Sequence, residues 1–292
     1  MYKPLFTGVC TALVTPFLEG KVNYPMVEML LKRQLQAGVR AVVLAGTTGE
    51  APTLSDEEKL ELLRRARGYV GNEMMIIAGT GSNDTMHAVH LSVEAEKLGA
   101  DALLVVSPYY NKATAEGLVA HFSAIAGAVK IPVILYNVPS RTGLDMPVDV
   151  YRRLAQIPNI AGVKEASTDI IKITKIRATC GPRFAVWSGN DEMIAPVIAL
   201  GGKGVISVVS NVAPEETRIL AEAALGGDFD TAADWQVRLQ PLLSALFSEV
   251  NPIPVKEAMK FMGYDCGDCR LPLTTMSPDK RLQLAQCLGK SI

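Results

Sequence analysis

Eight short runs rich in Val, Ile, Leu and Ala recur along the chain, at 9–14, 41–45, 74–78, 102–107, 132–137, 160–165, 184–189 and 204–209. Each has the length of a strand and is almost continuously apolar, the pattern of strands buried on both faces rather than half-solvated ones. Helical patterns lie between them, among them 56–69, 88–98, 115–129, 149–155, 170–178 and 191–200. Such β-α alternation predicts a parallel sheet, because parallel neighbours need a crossover long enough to hold a helix. Start-to-start spacings of about 20 to 33 residues leave room for strand, loop, helix and loop in every unit, and eight units favour closure into a (β/α)8 TIM barrel over an open sheet. The shortest unit returns through Gly201-Gly202-Lys203-Gly204, as a helix C-terminus followed by a close turn would.

Helix starts agree with this register. Ser55-Asp56-Glu57-Glu58 has the spacing of a capping box, and Asn83-Asp84 offers a cap after the third strand. The barrel is expected to occupy residues 1–225 as the catalytic domain. Residues 226–292 then form a C-terminal helical domain, with helices at 230–247, 255–262 and 278–288 separated by Asn251-Pro252-Ile253-Pro254 and a 266–275 loop.

Composition narrows the partners. A formal charge of -1 and a pI near 6.3 provide no basic footprint for nucleic acid and no polybasic membrane patch, leaving small metabolites as expected ligands. No apolar stretch reaches the roughly 20 residues that span a bilayer, and the first residues lack a signal-peptide pattern, so a cytoplasmic location is expected. Five cysteines, Cys10, Cys180, Cys266, Cys269 and Cys287, are scattered. Only Cys266-Gly-Asp-Cys269 has C-x-x-C spacing, and without a second half-site it reads as two unlinked thiols. His87 and His90 share a helix face and His121 stands alone, with no acidic or thiol ligand at matching spacing. Neither metal nor cofactor is expected.

If the sheet closes, functional side chains belong at the carboxyl ends of the strands, and the polar exceptions fall there. Gly46-Thr47-Thr48-Gly49-Glu50 follows strand two, Ser107-Pro-Tyr109-Tyr110-Asn111 strand four, and Tyr136-Asn-Val-Pro-Ser-Arg141-Thr-Gly143 strand five. Strand six ends at Lys164, in Gly162-Val-Lys-Glu-Ala166. An ammonium at the end of a buried run is costly to desolvate. Desolvation favours the neutral amine, which is what attack on a ketone to form a Schiff base requires. A lysine whose stem is buried and whose head reaches water, or one paired with a carboxylate, fits the strand equally well. Strict alternation puts Ile160, Gly162 and Lys164 on one face, with Gly162 leaving room beside the lysine stem. Tyr136, on the face of Ile134 in the preceding strand, points the same way and makes a reasonable proton shuttle. Thr47 and Thr48 offer hydroxyls and backbone N–H groups to a small carboxylate, though the tetrapeptide alone also reads as an ordinary βα turn. Arg141 can make a two-pronged carboxylate contact or sit exposed in its loop.

Together Gly46-Thr-Thr-Gly-Glu50, Tyr136-Asn-Val-Pro-Ser-Arg-Thr-Gly143, Gly162-Val-Lys-Glu-Ala166 and Asn251-Pro-Ile-Pro-Val-Lys256 resemble the 4-hydroxy-tetrahydrodipicolinate synthase (dihydrodipicolinate synthase) family of pyruvate-dependent class I aldolases, across nearly the whole chain. Gly-Thr-Thr-Gly-Glu and the strand-six lysine are shared across the wider N-acetylneuraminate lyase superfamily; an arginine at 141 is the more specific mark. The resemblance implies a (β/α)8 barrel assembled as a homotetramer of tight dimers. It also implies condensation of pyruvate with L-aspartate-4-semialdehyde on the route to diaminopimelate and lysine. Lys164 would be the Schiff-base nucleophile. Tyr136, Thr47 and a neighbouring subunit's Tyr110 would relay protons, Thr48 would hold the pyruvate carboxylate, and Arg141 the semialdehyde carboxylate. Gly189 and the main chain of Ile206 would line the pyruvate pocket. Asn190 departs from the pattern, where many synthases carry Asp. Lysine effectors of the family sit at positions corresponding to Ala51, Asp56, Lys59, Asn83, His87 and Tyr109. A glutamate is common at the His87 position, so weak or absent lysine feedback is expected here. The rivals are another pyruvate aldolase, for a 2-keto-3-deoxy acid or N-acetylneuraminate, and, more distantly, a non-enzymatic binding barrel.

Overall fold

Among the residues that the computed structural model describes, 3–289, eight parallel strands close into a barrel. In chain order they are β1 (Gly8–Ala12), β2 (Ala41–Leu44), β3 (Met75–Gly79), β4 (Ala102–Val106), β5 (Val133–Asn137), β6 (Ile160–Glu165), β7 (Ala185–Ser188) and β8 (Gly204–Ser207). Each pairs with its sequence neighbours, and β8 closes onto β1 with Gly8 opposite Gly204 and Cys10 opposite Ile206. All eight expected strands are present, with ends displaced by no more than two residues. Alternating side chains divide between two apolar layers. Val42, Leu103, Leu135, Val186 and Val205 face the helices, whereas Cys10, Ala41, Ile77, Ala102, Ile134, Trp187 and Ile206 fill the lumen. Small residues alternate with large ones there, so the interior is a packed core and not a pore. Trp187, fully buried, stacks on Phe6 with ring centroids 4.8 Å apart and donates its indole N–H to the Phe6 carbonyl at 3.2 Å. Because Phe6 precedes β1, this pair ties the segment before the first strand to β7.

The crossover helices are α1 (Tyr24–Gln36), α2 (Asp56–Val70), α3 (Thr85–Lys97), α4 (Ala115–Ala128), α5 (Pro139–Thr142), α6 (Val148–Leu154), α7 (Ile170–Cys180), α8 (Ile194–Ala199) and α9 (Pro214–Gly226). The capping box on α2 forms as expected: Ser55 Oγ accepts from Glu58 N–H at 3.2 Å and Glu58 accepts from Ser55 N–H at 3.0 Å. Asp84 caps α3 through the N–H groups of Met86 and His87. α1 and α9 were not placed from the sequence. In α1 the buried stripe of Val27, Leu30 and Leu31 ends in Gln34, whose amide is satisfied only in the fold, by Thr11 at 2.8 Å and the Ser210 carbonyl at 2.9 Å. The expected helix 191–200 is divided, a 3-10 turn over Asp191–Met193 preceding α8. Beyond Gly227, which ends α9 in a left-handed conformation at φ 86°, follow α10 (Phe229–Leu246), α11 (Ile253–Phe261) and α12 (Pro278–Cys287). No helix among the described residues is long and apolar enough to cross a membrane.

Candidate active site

Lys164 and Tyr136 face each other in register across β6 and β5, both within the lumen, with the lysine Nζ 4.3 Å from the phenol ring centroid. The route to this arrangement differs from simple alternation. Val133 pairs with Ile160 but Ile134 pairs with Gly162, so β6 carries a bulge that accommodates one extra residue. Ile160 therefore packs towards the helices and Ala161 towards the lumen, and Ile160 does not share a face with Lys164. Gly162 also serves a different purpose from the one expected. At φ 153°, a Cβ there would lie 2.0 Å from the Ala185 carbonyl oxygen, so the glycine yields to the β7 backbone and not to the lysine stem.

The environment of Lys164 differs from that of the other buried lysines. Among the described residues three lysines are buried to 5% exposure or less, Lys164, Lys172 and Lys256. Lys172 meets Asp145 and Glu165, and Lys256 meets Glu50 at 2.8 Å, whereas Lys164 makes no ion pair among the described residues. A buried amine without a counter-ion is the exception that favours chemistry over structure. Below it, burial pushes the Cys10 thiol up, with the Lys164 ammonium pulling the other way. Fully buried Asp191 accepts from the N–H groups of Val208 and Val209 at 2.9 Å each, and burial pushes its carboxyl up. On the outer face of β6, Glu165 accepts from Asn137 at 2.8 Å, Tyr151 at 2.9 Å and Ser167 N–H at 2.9 Å. The residues that follow Tyr136 and Lys164 in sequence are thus bonded to one another, which holds the two strand ends together behind the inward pair.

The loop after β2 enters through Ala45 at φ 51° and leaves through Glu50 at φ 56°, two left-handed residues that turn Thr47 and Thr48 over the barrel mouth. Thr15 fixes the loop by donating to the Gly49 carbonyl at 2.7 Å. Thr48 is buried, and its Oγ1 accepts from Asn251 Nδ2 at 3.0 Å. Arg141, on the exposed side of α5, donates from Nη2 to the Asn251 carbonyl at 3.1 Å. A cavity of about 530 Å³ opens at this end, lined by Gly46, Thr47, Tyr136, Val138 and Arg141. It continues past Ala51, Asp56, Lys59, Asn83, His87 and Tyr109, so the six positions singled out for an effector line the same cavity as the reactive face. There Asp56 is already engaged, by His87 Nε2 at 2.7 Å and Lys59 Nζ at 3.4 Å.

Lys164, Thr48, Gly189 and Ile206 lie outside the cavity's lining, buried beneath it or beside it. Gly189 donates to the Glu165 carbonyl at 2.7 Å and Ile206 fills the lumen. Tyr110 is not brought to the site within one chain: it is 90% exposed at φ 69°. The Asn190 side chain donates to the Ser167 carbonyl at 3.1 Å. Cys266 and Cys269 are free, their thiols pushed up to about 12 by burial. The sequence reading assigned no role to Asn251, Lys256 or Glu50. The one available signal was a charged residue set among apolar neighbours in Ile253-Pro-Val-Lys256.

A closed β/α barrel with a solitary buried amine beside a phenol, at the carboxyl end of its strands, has the architecture of a class I aldolase. The chain belongs to the Dihydrodipicolinate synthetase family, which it matches over residues 5–291. It is 49% identical over 277 residues to the 4-hydroxy-tetrahydrodipicolinate synthase of Acetivibrio thermocellus, covering 95% of this chain and 94% of that one. Among solved structures it resembles dihydrodipicolinate synthase from Aquifex aeolicus, with a TM-score of 0.96, 43% identity and 97% of each chain covered. It also resembles DHDPS from Cyanidioschyzon merolae, solved with lysine bound, with a TM-score of 0.95, 40% identity and 98% of each chain covered.

Proposed function

We propose that this protein condenses pyruvate with L-aspartate-4-semialdehyde to form 4-hydroxy-tetrahydrodipicolinate, a step towards diaminopimelate and lysine. The observation that carries the chemistry is the unpaired, buried Lys164 ammonium beside Tyr136. With its proton removed, Nζ adds to the pyruvate ketone, and loss of water leaves an iminium. Loss of a methyl proton gives an enamine, whose carbon adds to the aldehyde. The substrate amine then displaces Lys164, closing the ring. Tyr136 stands where protons must enter and leave at the ketone oxygen, with the Thr47 hydroxyl on the same cavity wall. Thr48 and the backbone around it take the pyruvate carboxylate.

Arg141 lies at the cavity wall with one guanidinium nitrogen held by Asn251, leaving the rest of the fork to meet the semialdehyde carboxylate. This cation favours a second substrate with a carboxylate of its own over the uncharged aldehydes that other pyruvate aldolases join to pyruvate. The exposed Tyr110 ring supports an assembly in which a neighbouring subunit's Tyr110 completes the relay, within a homotetramer of tight dimers. In this reading residues 1–225 are the catalytic barrel, 226–292 a helical domain, and the enzyme is cytoplasmic. Borohydride with pyruvate should add a covalent label to the wild type and none to Lys164→Ala. A coupled assay with the semialdehyde and the next-step reductase should show turnover; labelling without turnover would move the activity to another pyruvate aldolase.

A further inference from the structure

Asn251 touches both proposed carboxylate sites from outside the barrel. It precedes α11, more than 200 residues from Thr48 in sequence, and is itself 94% buried, being 6% exposed. Its side-chain amide donates to Thr48 Oγ1 at 3.0 Å, and its main-chain carbonyl accepts from Arg141 Nη2 at 3.1 Å. Five residues on, Lys256 locks the same segment to the same loop through Glu50 at 2.8 Å and the Thr15 carbonyl at 3.2 Å. The Asn251 main chain is thereby tied to Arg141 and its side-chain Nδ2 to Thr48, while its Oδ1 is buried without a partner among the described residues.

A hydroxyl that accepts from an N–H keeps its own hydrogen for another partner. Among the described residues the Thr48 hydroxyl hydrogen has no acceptor, although Thr48 is only 2% exposed. Resting on the aldolase reading, we propose that Asn251 is a positioning residue: by occupying the Thr48 oxygen as donor, it turns the Thr48 hydroxyl into a dedicated donor for the pyruvate carboxylate. The C-terminal segment is thereby part of pyruvate recognition and not only a cover over the barrel.

The substitutions separate polarity from packing. Asn251→Ala removes the donor and frees the Thr48 hydroxyl to rotate, which should raise the pyruvate half-saturation about tenfold with kcat changed less than about threefold. Asn251→Asp keeps the shape but offers only acceptors. It draws the Thr48 hydrogen to itself and sets a negative charge beside a carboxylate, so it should be worse than Ala, by about a further tenfold. A residue that merely filled space would give the opposite order. In a Thr48→Val background, Asn251→Ala should add less than about a twofold effect, because the group it acts through is gone. The readouts are pyruvate dependence of borohydride trapping, steady-state kinetics and melting temperature of the full-length enzyme. Unchanged pyruvate dependence in Asn251→Ala, a better-binding Asp than Ala variant, or additive effects with Thr48→Val would each overturn the inference. Failure of the wild type to be trapped at all would instead overturn the aldolase reading beneath it.

Discussion

Lys256→Met should be among the most damaging single changes outside the reactive pair, and the structure sets its size. The Lys256 ammonium donates to Glu50 Oε1 at 2.8 Å, the Asp268 carbonyl at 3.1 Å and the Thr15 carbonyl at 3.2 Å, and lies 4.3 Å from the centre of the Phe17 ring. Both charged side chains are almost inaccessible, at 2% and 1% exposure. Methionine matches the stem but leaves Glu50 with the Arg270 N–H at 2.8 Å as its remaining close donor. Stranding one member of a buried pair costs about 3–5 kcal/mol, which for a chain of this size lowers the melting temperature by about 6–20 °C. Glu50 closes the loop that carries Thr48, so pyruvate half-saturation should rise in the same variant. Denaturant and thermal unfolding measure the first effect and trapping kinetics the second. Glu50→Gln combined with Lys256→Met removes the stranded charge and should recover about half of the lost stability. A Lys256→Met protein within about 1 kcal/mol of wild type, or a double variant less stable than the single one, would show that the pair does not hold the loop.

Arg141→Ala should lower efficiency towards the semialdehyde about a hundredfold while borohydride trapping of pyruvate persists; equal loss for both substrates would place Arg141 in the first substrate's site or in the fold. Mixed oligomers of inactive Tyr110→Phe and Lys164→Ala subunits should regain part of the activity, since one site in each mixed dimer keeps both residues. No recovery after verified subunit exchange would return Tyr110 to its own chain's site. Lysine should inhibit weakly, because Asp56 is already taken by His87 and Lys59 and leaves no free carboxylate for an incoming ammonium beside two cationic or neutral bases; half-inhibition within the physiological lysine range at near-KM semialdehyde would refute this. Burial pushes His121 below its ordinary value of 6.5, so the fold favours the neutral ring, and stability is unaffected well above that value but falls as pH drops below it and the unfolded chain takes up the proton. His121→Gln should flatten that acid limb in unfolding measurements, and an unchanged limb would assign it to other groups.

Much of this molecule is legible along the chain because the signals are local. Near-continuous apolar runs separated by helical patterns dictate β/α units, and eight of them leave few closures other than a barrel. The Ser55-to-Glu58 cap is written in four consecutive residues and forms as spelled. A lysine near the end of a buried strand, with a tyrosine near the end of the one before, marks a candidate site in sequence through the desolvation it must bear, but a paired or snorkelling lysine fits that strand equally well. What the chain could not announce is pairing. Whether Lys164, Lys172 or Lys256 is the amine without a counter-ion depends on where Asp145 and Glu50 arrive, the latter 206 positions from Lys256. Which face Ile160 takes depends on a bulge in the pairing of β6 with β5, and Gly162 is required by the close approach of the Ala185 carbonyl from β7, both contacts between strands. Asn251 reads as a loop residue until the helices after Gly227 fold back and bring it 3.0 Å from Thr48, 203 positions away. Backbone preference and hydrophobic period act over a few residues and survive in sequence; ion pairing, close backbone approach and hydroxyl orientation act across space, and only closure of the barrel decides them.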